Sequence, residues 1–231
     1  MKDRKGFVRE KFSRVTRRYD LVNTLGSLGI DARWRRKAAA ELAGFPGPLL
    51  DLCAGTLVLA RELVRQEPRP VVALDLTPEM LLYGTFRLSG DPLAGWIRAV
   101  CGDAESLPFA GETFYGATMA FGLRNLSRPE KGLLEAFRVL KPGGKLVILE
   151  FSRPRTPLFA PLYRLYLRYY MPLLGGLLTG DREAYHYLAR SIYEFAAPEV
   201  VLSWLSEAGF REPKAYPLTF GVVTIYTGIK P

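Results

Sequence analysis

The stretch from Leu49 to Ala60, LLDLCAGTLVLA, constrains this chain more than any other. Leu49-Leu50-Asp51-Leu52 is an apolar run around one acid. Cys53-Ala54-Gly55-Thr56 breaks it, and a helical pattern of apolar positions then begins. That order is how a strand, a tight turn and a helix N-terminus look in sequence. Twenty residues after Gly55 a second apolar run, Val71-Val72-Ala73-Leu74, ends in Asp75. An acid at that distance, closing the next strand, is placed to accept hydrogen bonds from both hydroxyls of a ribose. The pairing implies a nucleoside ligand.

From Pro48 onward strands and helices alternate. The pattern predicts strands near 48–53, 71–75, 96–101, 115–121 and 145–151, with helices near 57–66, 78–87 and 129–140. Lys141-Pro142-Gly143-Gly144 should end the third of these helices and deliver the fifth strand, KLVILEF. A helix near 198–208, a strand to about 217 and the alternating run Gly221 to Thr227 close the chain. The last two strands are near enough to pair as an antiparallel hairpin. The expected fold class is therefore α/β: a doubly wound, mostly parallel seven-stranded sheet with an antiparallel C-terminal edge hairpin.

Two regions flank or interrupt that pattern. Residues 2–20 carry eight basic side chains among apolar positions 8, 12, 15 and 19, which predicts an amphipathic helix with a basic face. A second helix is expected over 32–42. Between the fifth strand and the last helix lies 154–195, with an aromatic run at 158–172 that contains Arg164 and Arg168. Pro161, Pro172 and the arginines argue against a membrane span. A surface helix remains, with Leu162, Leu165, Tyr166 and Tyr169 as its apolar side, suited to a membrane surface, a greasy pocket or ordinary packing. The chain reads as one domain, divided into N-terminal helices (1–44), a ligand-binding core (48–151), a helical insertion (154–195) and a C-terminal helix and hairpin (196–231).

Composition narrows the function classes. At 231 residues and 48% hydrophobic, the chain can bury a full core. Its net charge of +9 favours an anionic partner, either nucleic acid or a lipid headgroup surface, or else serves solubility alone. The charged start, Met1-Lys2-Asp3-Arg4-Lys5, leads into no apolar signal run, so the expected location is cytoplasmic. Cys53 and Cys101 end apolar runs and are expected as free, buried thiols. One histidine and two cysteines make no convincing metal site, so metal-free chemistry is expected. Three side-chain amides and abundant arginine suggest a thermophilic source.

Candidate site residues follow from the strand ends. Asp51 and Gly55 belong to the first strand and turn, where a ligand can approach the backbone. Thr56 can cap the following helix or bond the ligand. Asp103, just after the third strand, can hydrogen-bond the amino group of an adenine, with the Ala104 N–H facing a ring nitrogen; it can equally be a turn-forming Asp. Arg124 and Asn125 end the fourth strand beside this site. A guanidinium there can stabilise an oxyanion or hold a water that takes a proton, or simply form a salt bridge.

Several stretches carry a resemblance that spacing alone does not reveal: Tyr19-Asp20 to Asn23, Ser27-Leu28-Gly29-Ile30 with Trp34, Gly55-Thr56, Gly102-Asp103-Ala104-Glu105, Phe121-Gly122-Leu123-Arg124-Asn125, Lys141-Pro142-Gly143-Gly144, and Tyr185-x-Tyr187-Leu188 with Ser191-Ile192. Together they resemble the ubiquinone/menaquinone biosynthesis C-methyltransferases, Class I S-adenosylmethionine-dependent enzymes with a Rossmann-like fold. The resemblance implies S-adenosyl-L-methionine as cofactor and a prenylated quinol, demethylmenaquinol foremost, as substrate. It maps cofactor contacts onto Thr56, Asp75, Leu76, Asp103 and Ala104. Arg124 takes the oxyanion role with Asn125 as orienter, and Tyr185 and Tyr187 are candidates for the substrate pocket, where core packing is the alternative.

The chain departs from the family pattern at Ala54-Gly55-Thr56-Leu57-Val58, where Gly-Gly-Thr-Gly-Asp is usual, at Ala120 for Ser, and at Asp31 for His. The resemblance also implies peripheral contact with an anionic membrane, at the inner face, where the isoprenoid tail resides. Self-association into a homo-oligomer is a further expectation, and no nucleic-acid partner is expected. Two rivals share the same residues: a nucleic-acid methyltransferase, which would explain the charge, and a non-catalytic relative in a quinone-synthesis assembly.

Overall fold

The computed structural model describes residues 4–157 and 159–231. Two helices, α1 (Arg4–Gly26) and α2 (Ile30–Ala40), precede the alternating core. The core runs β1 (Leu49–Leu52), α3 (Val58–Gln66), β2 (Val71–Asp75), α4 (Pro78–Arg87), β3 (Ile97–Cys101), β4 (Phe114–Ala120), α5 (Pro129–Val139) and β5 (Leu140–Phe151). A helical segment follows, with α6 (Phe159–Leu165), a π turn (Tyr166–Tyr170), α7 (Met171–Thr179) and α8 (Arg182–Glu194). Then come α9 (Pro198–Glu207), β6 (Arg211–Leu218) and β7 (Val223–Ile229). The strands make one seven-stranded sheet in the order β3-β2-β1-β4-β5-β7-β6. It is parallel through β5, and β7 runs antiparallel to both β5 and β6, as expected from the sequence.

A parallel sheet covered on both faces needs strands that are apolar on both sides, and all four residues of β1 are buried. Side chains alternate between two packed layers. Leu49, Val71, Ala73, Val147 and Leu149 face one layer with α2, α3 and the helical segment. Leu50, Leu52, Leu74, Ala117, Met119, Leu146 and Ile148 face the other, against α5 and α9. This alternation places Asp51 on the first of these faces, beside Leu49.

Three expectations change. The Lys141-Pro142-Gly143-Gly144 turn sits inside β5. Phe114 pairs with Leu140 and Gly116 with Lys145, so the intervening residues bulge, with Gly143 at φ 78. The aromatic run does not stop at Pro172. The π turn carries the chain into α7, where Pro172 occupies an early position that needs no N–H partner. Its buried side is Tyr163, Leu167 and Met171, whereas Leu162, Leu165 and Tyr169 are 59%, 54% and 60% exposed. Residues 2, 3 and 158, where two helices were expected to begin, lie outside the described residues. Both cysteines are free thiols, but Cys101 is exposed, because β3 is an edge strand with little covering it. No helix among the described residues is long and apolar enough to cross a membrane.

Candidate functional site

The turn after β1 is built from left-handed backbone. Cys53, Gly55 and Leu57 have φ of 54°, 53° and 65°. At Gly55 this costs nothing; at Leu57, the residue at the helix N-cap, it is strained, and full burial of the side chain offsets the strain. The turn packs against α4 only because position 84 has no side chain. A Cβ on Gly84 would lie 2.7 Å from the Thr56 carbonyl carbon and 2.8 Å from its oxygen.

Asp75 fastens the turn from the next strand. Its Oδ2 accepts from the Gly55 N–H and its Oδ1 from the Thr77 N–H, each at 2.8 Å. Burial pushes the carboxyl upward and these backbone donors act against that shift. Asp75 and Leu76 line a small cavity of about 80 Å³ together with Gly55, Cys53, Met80, Asp103, Ala104 and Asn125. The roof comes from α1, through Lys5, Val8, Phe12 and Tyr19. Lys5 Nζ reaches Asp103 Oδ2 at 2.6 Å and Glu105 at 3.0 Å. Asp103 is partly buried and held below the usual carboxylate range by the Lys5 bond and the Glu105 N–H, which outweigh its desolvation.

Two expected cofactor residues lie elsewhere. Asp51 lines neither cavity. The register puts it opposite Thr118, whose hydroxyl donates to Oδ1 at 2.7 Å, and burial pushes its carboxyl up to about 7. Strand alternation turns it into the α2–α3 layer, away from the open strand ends. Thr56 neither caps α3 nor faces the cavity; its hydroxyl donates to Asp20 on α1 at 2.7 Å. Asp20 also pairs with Arg87 of α4, so Thr56 helps seat α1 over the loop.

A larger cavity of about 330 Å³ opens on the same side, enclosed by α1, α2, the helical segment and the ends of β4 and β5. Its wall is aromatic: Phe12, Tyr19, Trp34, Phe121, Phe151, Tyr163, Tyr166, Tyr185 and Tyr187 all reach it. Phe12, Tyr19 and Phe121 line both cavities, so the two share one partition.

Arg124 lies in the short helical turn after β4, buried at the edge of the larger cavity. Its Nη1 donates to Glu150 Oε1 at 2.6 Å and to the Phe121 carbonyl at 2.7 Å; Nε reaches Ser191 Oγ at 3.3 Å. Glu150 is fully buried, and Arg124 is the cation paired with it. Asn125 faces the smaller cavity, donating to the Phe121 carbonyl at 3.1 Å and accepting from the Tyr187 hydroxyl at 3.1 Å. Tyr185 and Tyr187, read from the sequence as substrate-pocket or core-packing residues, both line the larger cavity.

The sequence reading missed Tyr19, Glu150, Gly84 and Arg35 as site residues. Tyr19 stands in the partition. Burial pushes its phenol up, while the charges of Arg35 and Arg124 pull it the other way. Its signal was its place on the apolar face of α1, seven residues after Phe12. Glu150 was visible as the one acid in KLVILEF, where an unpaired charge would be prohibitive.

The chain compares with known proteins as follows. The profile of the ubiE/COQ5 methyltransferase family matches residues 1–230. The chain is 41% identical over 226 residues to a ubiquinone/menaquinone biosynthesis C-methyltransferase UbiE of Geobacter sulfurreducens, covering 96% of this chain and 88% of that one. It is 42% identical over 222 residues to a demethylmenaquinone methyltransferase of Thermus thermophilus, covering 95% of this chain and 100% of that one. Among solved structures, an S-adenosylmethionine-dependent methyltransferase of Thermotoga maritima superposes with a TM-score of 0.68 at 18% identity, covering 96% of this chain and 99% of that one. A phosphoethanolamine N-methyltransferase of Haemonchus contortus, in complex with S-adenosyl-L-methionine, gives a TM-score of 0.63 at 14% identity, over 88% of this chain and 57% of that one. At such identities the structures speak to the fold. The profile and the near-full-length relatives go further: the chain belongs to the ubiE/COQ5 methyltransferase family.

Proposed function

We propose that this chain transfers a methyl group from S-adenosyl-L-methionine to a ring carbon of a prenylated quinol, demethylmenaquinol being the substrate. The observation that carries the reading is the shared partition. A small cavity with acids at two adjacent strand ends abuts a larger aromatic cavity that contains a buried guanidinium. The small cavity suits the cofactor's nucleoside. Asp75 offers a carboxylate for ribose hydroxyls, Asp103 one for an exocyclic amino group, and Gly55 leaves the backbone open to approach, its absent Cβ falling 3.3 Å from Met80. Leu76 and Ala104 supply apolar contact for the base. Held by these residues, the cofactor would supply an electrophilic methyl group.

The chain's own residues do the rest. The aromatic cavity accepts a naphthalene-sized ring and excludes water. Arg124, already neutralised by Glu150, contributes directed N–H donors to a developing phenolate and holds the water that takes its proton. Asn125, fixed between the Phe121 carbonyl and Tyr187, orients that arrangement. The isoprenoid tail leaves toward α6 and α7, where Leu162, Leu165, Tyr169, Leu173 and Leu177 are exposed among Arg164 and Arg168. Such a face suits the boundary of an anionic bilayer. Cosedimentation with vesicles, with and without anionic lipid, tests that part.

The test of the reaction is anaerobic incubation with methyl-labelled cofactor and reduced, short-tailed demethylmenaquinol, followed by mass spectrometry of the product. Label on the ring carbon is expected. Label on a hydroxyl oxygen, or no transfer, overturns the reading.

A further inference from the structure

Arg35, on α2, is 8% exposed and lines the larger cavity, yet its Nε has no hydrogen-bond partner. Its paired acid, Asp31 one turn earlier, stands 3.8 Å from Nε, beyond hydrogen-bond distance, and accepts instead from Ser27 Oγ at 2.9 Å. Asp51 also feels its charge, but its Oδ1 accepts from Thr118 and its Oδ2 has no hydrogen-bond partner, so it does not bind the guanidinium. A guanidinium has five N–H donors in a rigid fork, and leaving the buried Nε–H unused is costly unless a ligand takes it.

Its mounting matches that of Arg124. Arg35 lies over the Phe121 ring at 5.1 Å, and Arg124 over the Phe151 ring at 5.1 Å. The two rings pack against each other at 4.6 Å. Two buried cations therefore serve one cavity from one aromatic pair. The Arg124 Nε and Nη1 are bound to protein groups, whereas the Arg35 guanidinium makes no hydrogen bond to the described residues. We propose that Arg35 is a substrate-binding residue that hydrogen-bonds the second oxygen of the quinol, the one para to the oxygen Arg124 serves. The inference rests on the quinol reading above. A 1,4-quinol carries two oxygens on opposite sides of its ring. Holding both fixes the axis through the two oxygens, and so how far the ring carbons stand from the methyl donor.

Two ligands, inert because no cofactor is added, test this: 2-methylnaphthalene-1,4-diol and 2-methyl-1-naphthol, which lacks the second oxygen. Their affinities are measured anaerobically by calorimetry on the intact protein. The wild type is expected to prefer the diol by about ten- to a hundredfold, the range of a hydrogen bond to a charged group. In Arg35→Met the preference should fall to within about threefold, with cofactor affinity retained as proof of folding. No preference in the wild type, or the same preference in the variant, overturns the proposal. Should Arg35→Met fail to bind cofactor, Arg35→Leu replaces it; an undiminished preference there overturns the proposal, and a reduced one supports it. A wild type that methylates no quinol defeats the underlying reading instead. One that methylates quinol while Arg35→Met keeps the full preference defeats only this inference.

Discussion

Asn125 accepts a hydrogen bond from the Tyr187 hydroxyl at 3.1 Å, and each residue belongs to a different cavity: Asn125 to the smaller, Tyr187 to the larger. The bond joins the turn after β4 to α8 across the line where donor and acceptor must meet. Tyr187→Phe removes it and keeps the ring, which packs edge-on to Phe7 at 5.3 Å. Turnover should fall about two- to tenfold, the worth of one neutral hydrogen bond, with cofactor affinity unchanged. Steady-state kinetics and calorimetry check this, and an equal loss in both would mean that the bond serves cofactor binding.

Arg124 and Glu150 form a buried pair, so Arg124→Ala strands a carboxylate in the core. The expected loss of stability is about 3–5 kcal/mol. Arg124→Met combined with Glu150→Leu should recover most of it while leaving the enzyme inactive. Denaturant unfolding of single and double variants separates the structural role from the chemical one; a double variant no more stable than Arg124→Ala would contradict the pairing argument.

Gly84 lies within α4, where alanine is ordinarily worth about 1 kcal/mol more than glycine. Here the added Cβ would meet the backbone of Thr56. Gly84→Ala should therefore destabilise by about 1–3 kcal/mol, and it should weaken cofactor binding by displacing the loop. Thermal melting and calorimetry provide the readout, and a stabilised variant would show that the loop yields easily.

Asp51 has its carboxyl raised to about 7 by burial. The folded protein binds this proton more tightly than the unfolded chain, so the group's contribution is favourable at low pH. It is lost as pH rises from the unfolded value, about 3.9, to the folded one, and is flat above that. The total is on the order of 4 kcal/mol. Asp51→Asn keeps the acceptor for Thr118 and abolishes the titration. Unfolding at pH 5 and pH 8 should show the wild type losing more stability than the variant between the two; parallel pH dependences would contradict the assignment.

Much of this was legible in the chain. Apolar runs ending in Asp75 and Gly102-Asp103 announced strands whose C-terminal ends converge, and the alternating Gly221 to Thr227 run announced the antiparallel edge. What stayed hidden depended on facing direction. Asp51 and Asp75 look alike in sequence, each an acid in an apolar strand, yet Asp51 lies within β1 opposite Thr118 while Asp75 ends β2 against backbone amides. Thr56 looked like a cap or a ligand contact because nothing local foretold Asp20, which lies 36 residues earlier on α1. Leu57 looked like a defect in a glycine loop. The turn keeps its left-handed backbone with Leu57 in place, and Gly84 on the neighbouring helix provides the room.

The central claim is that the shared partition brings the methyl donor to a quinol ring. Its most direct test is incubation of the intact protein with methyl-labelled S-adenosyl-L-methionine and three acceptors in parallel: reduced demethylmenaquinone, a reduced ubiquinone precursor and bulk RNA. Label should enter the ring carbon of demethylmenaquinol in preference to the other two. Label entering RNA and neither quinol, or no calorimetric heat with millimolar cofactor, would contradict it.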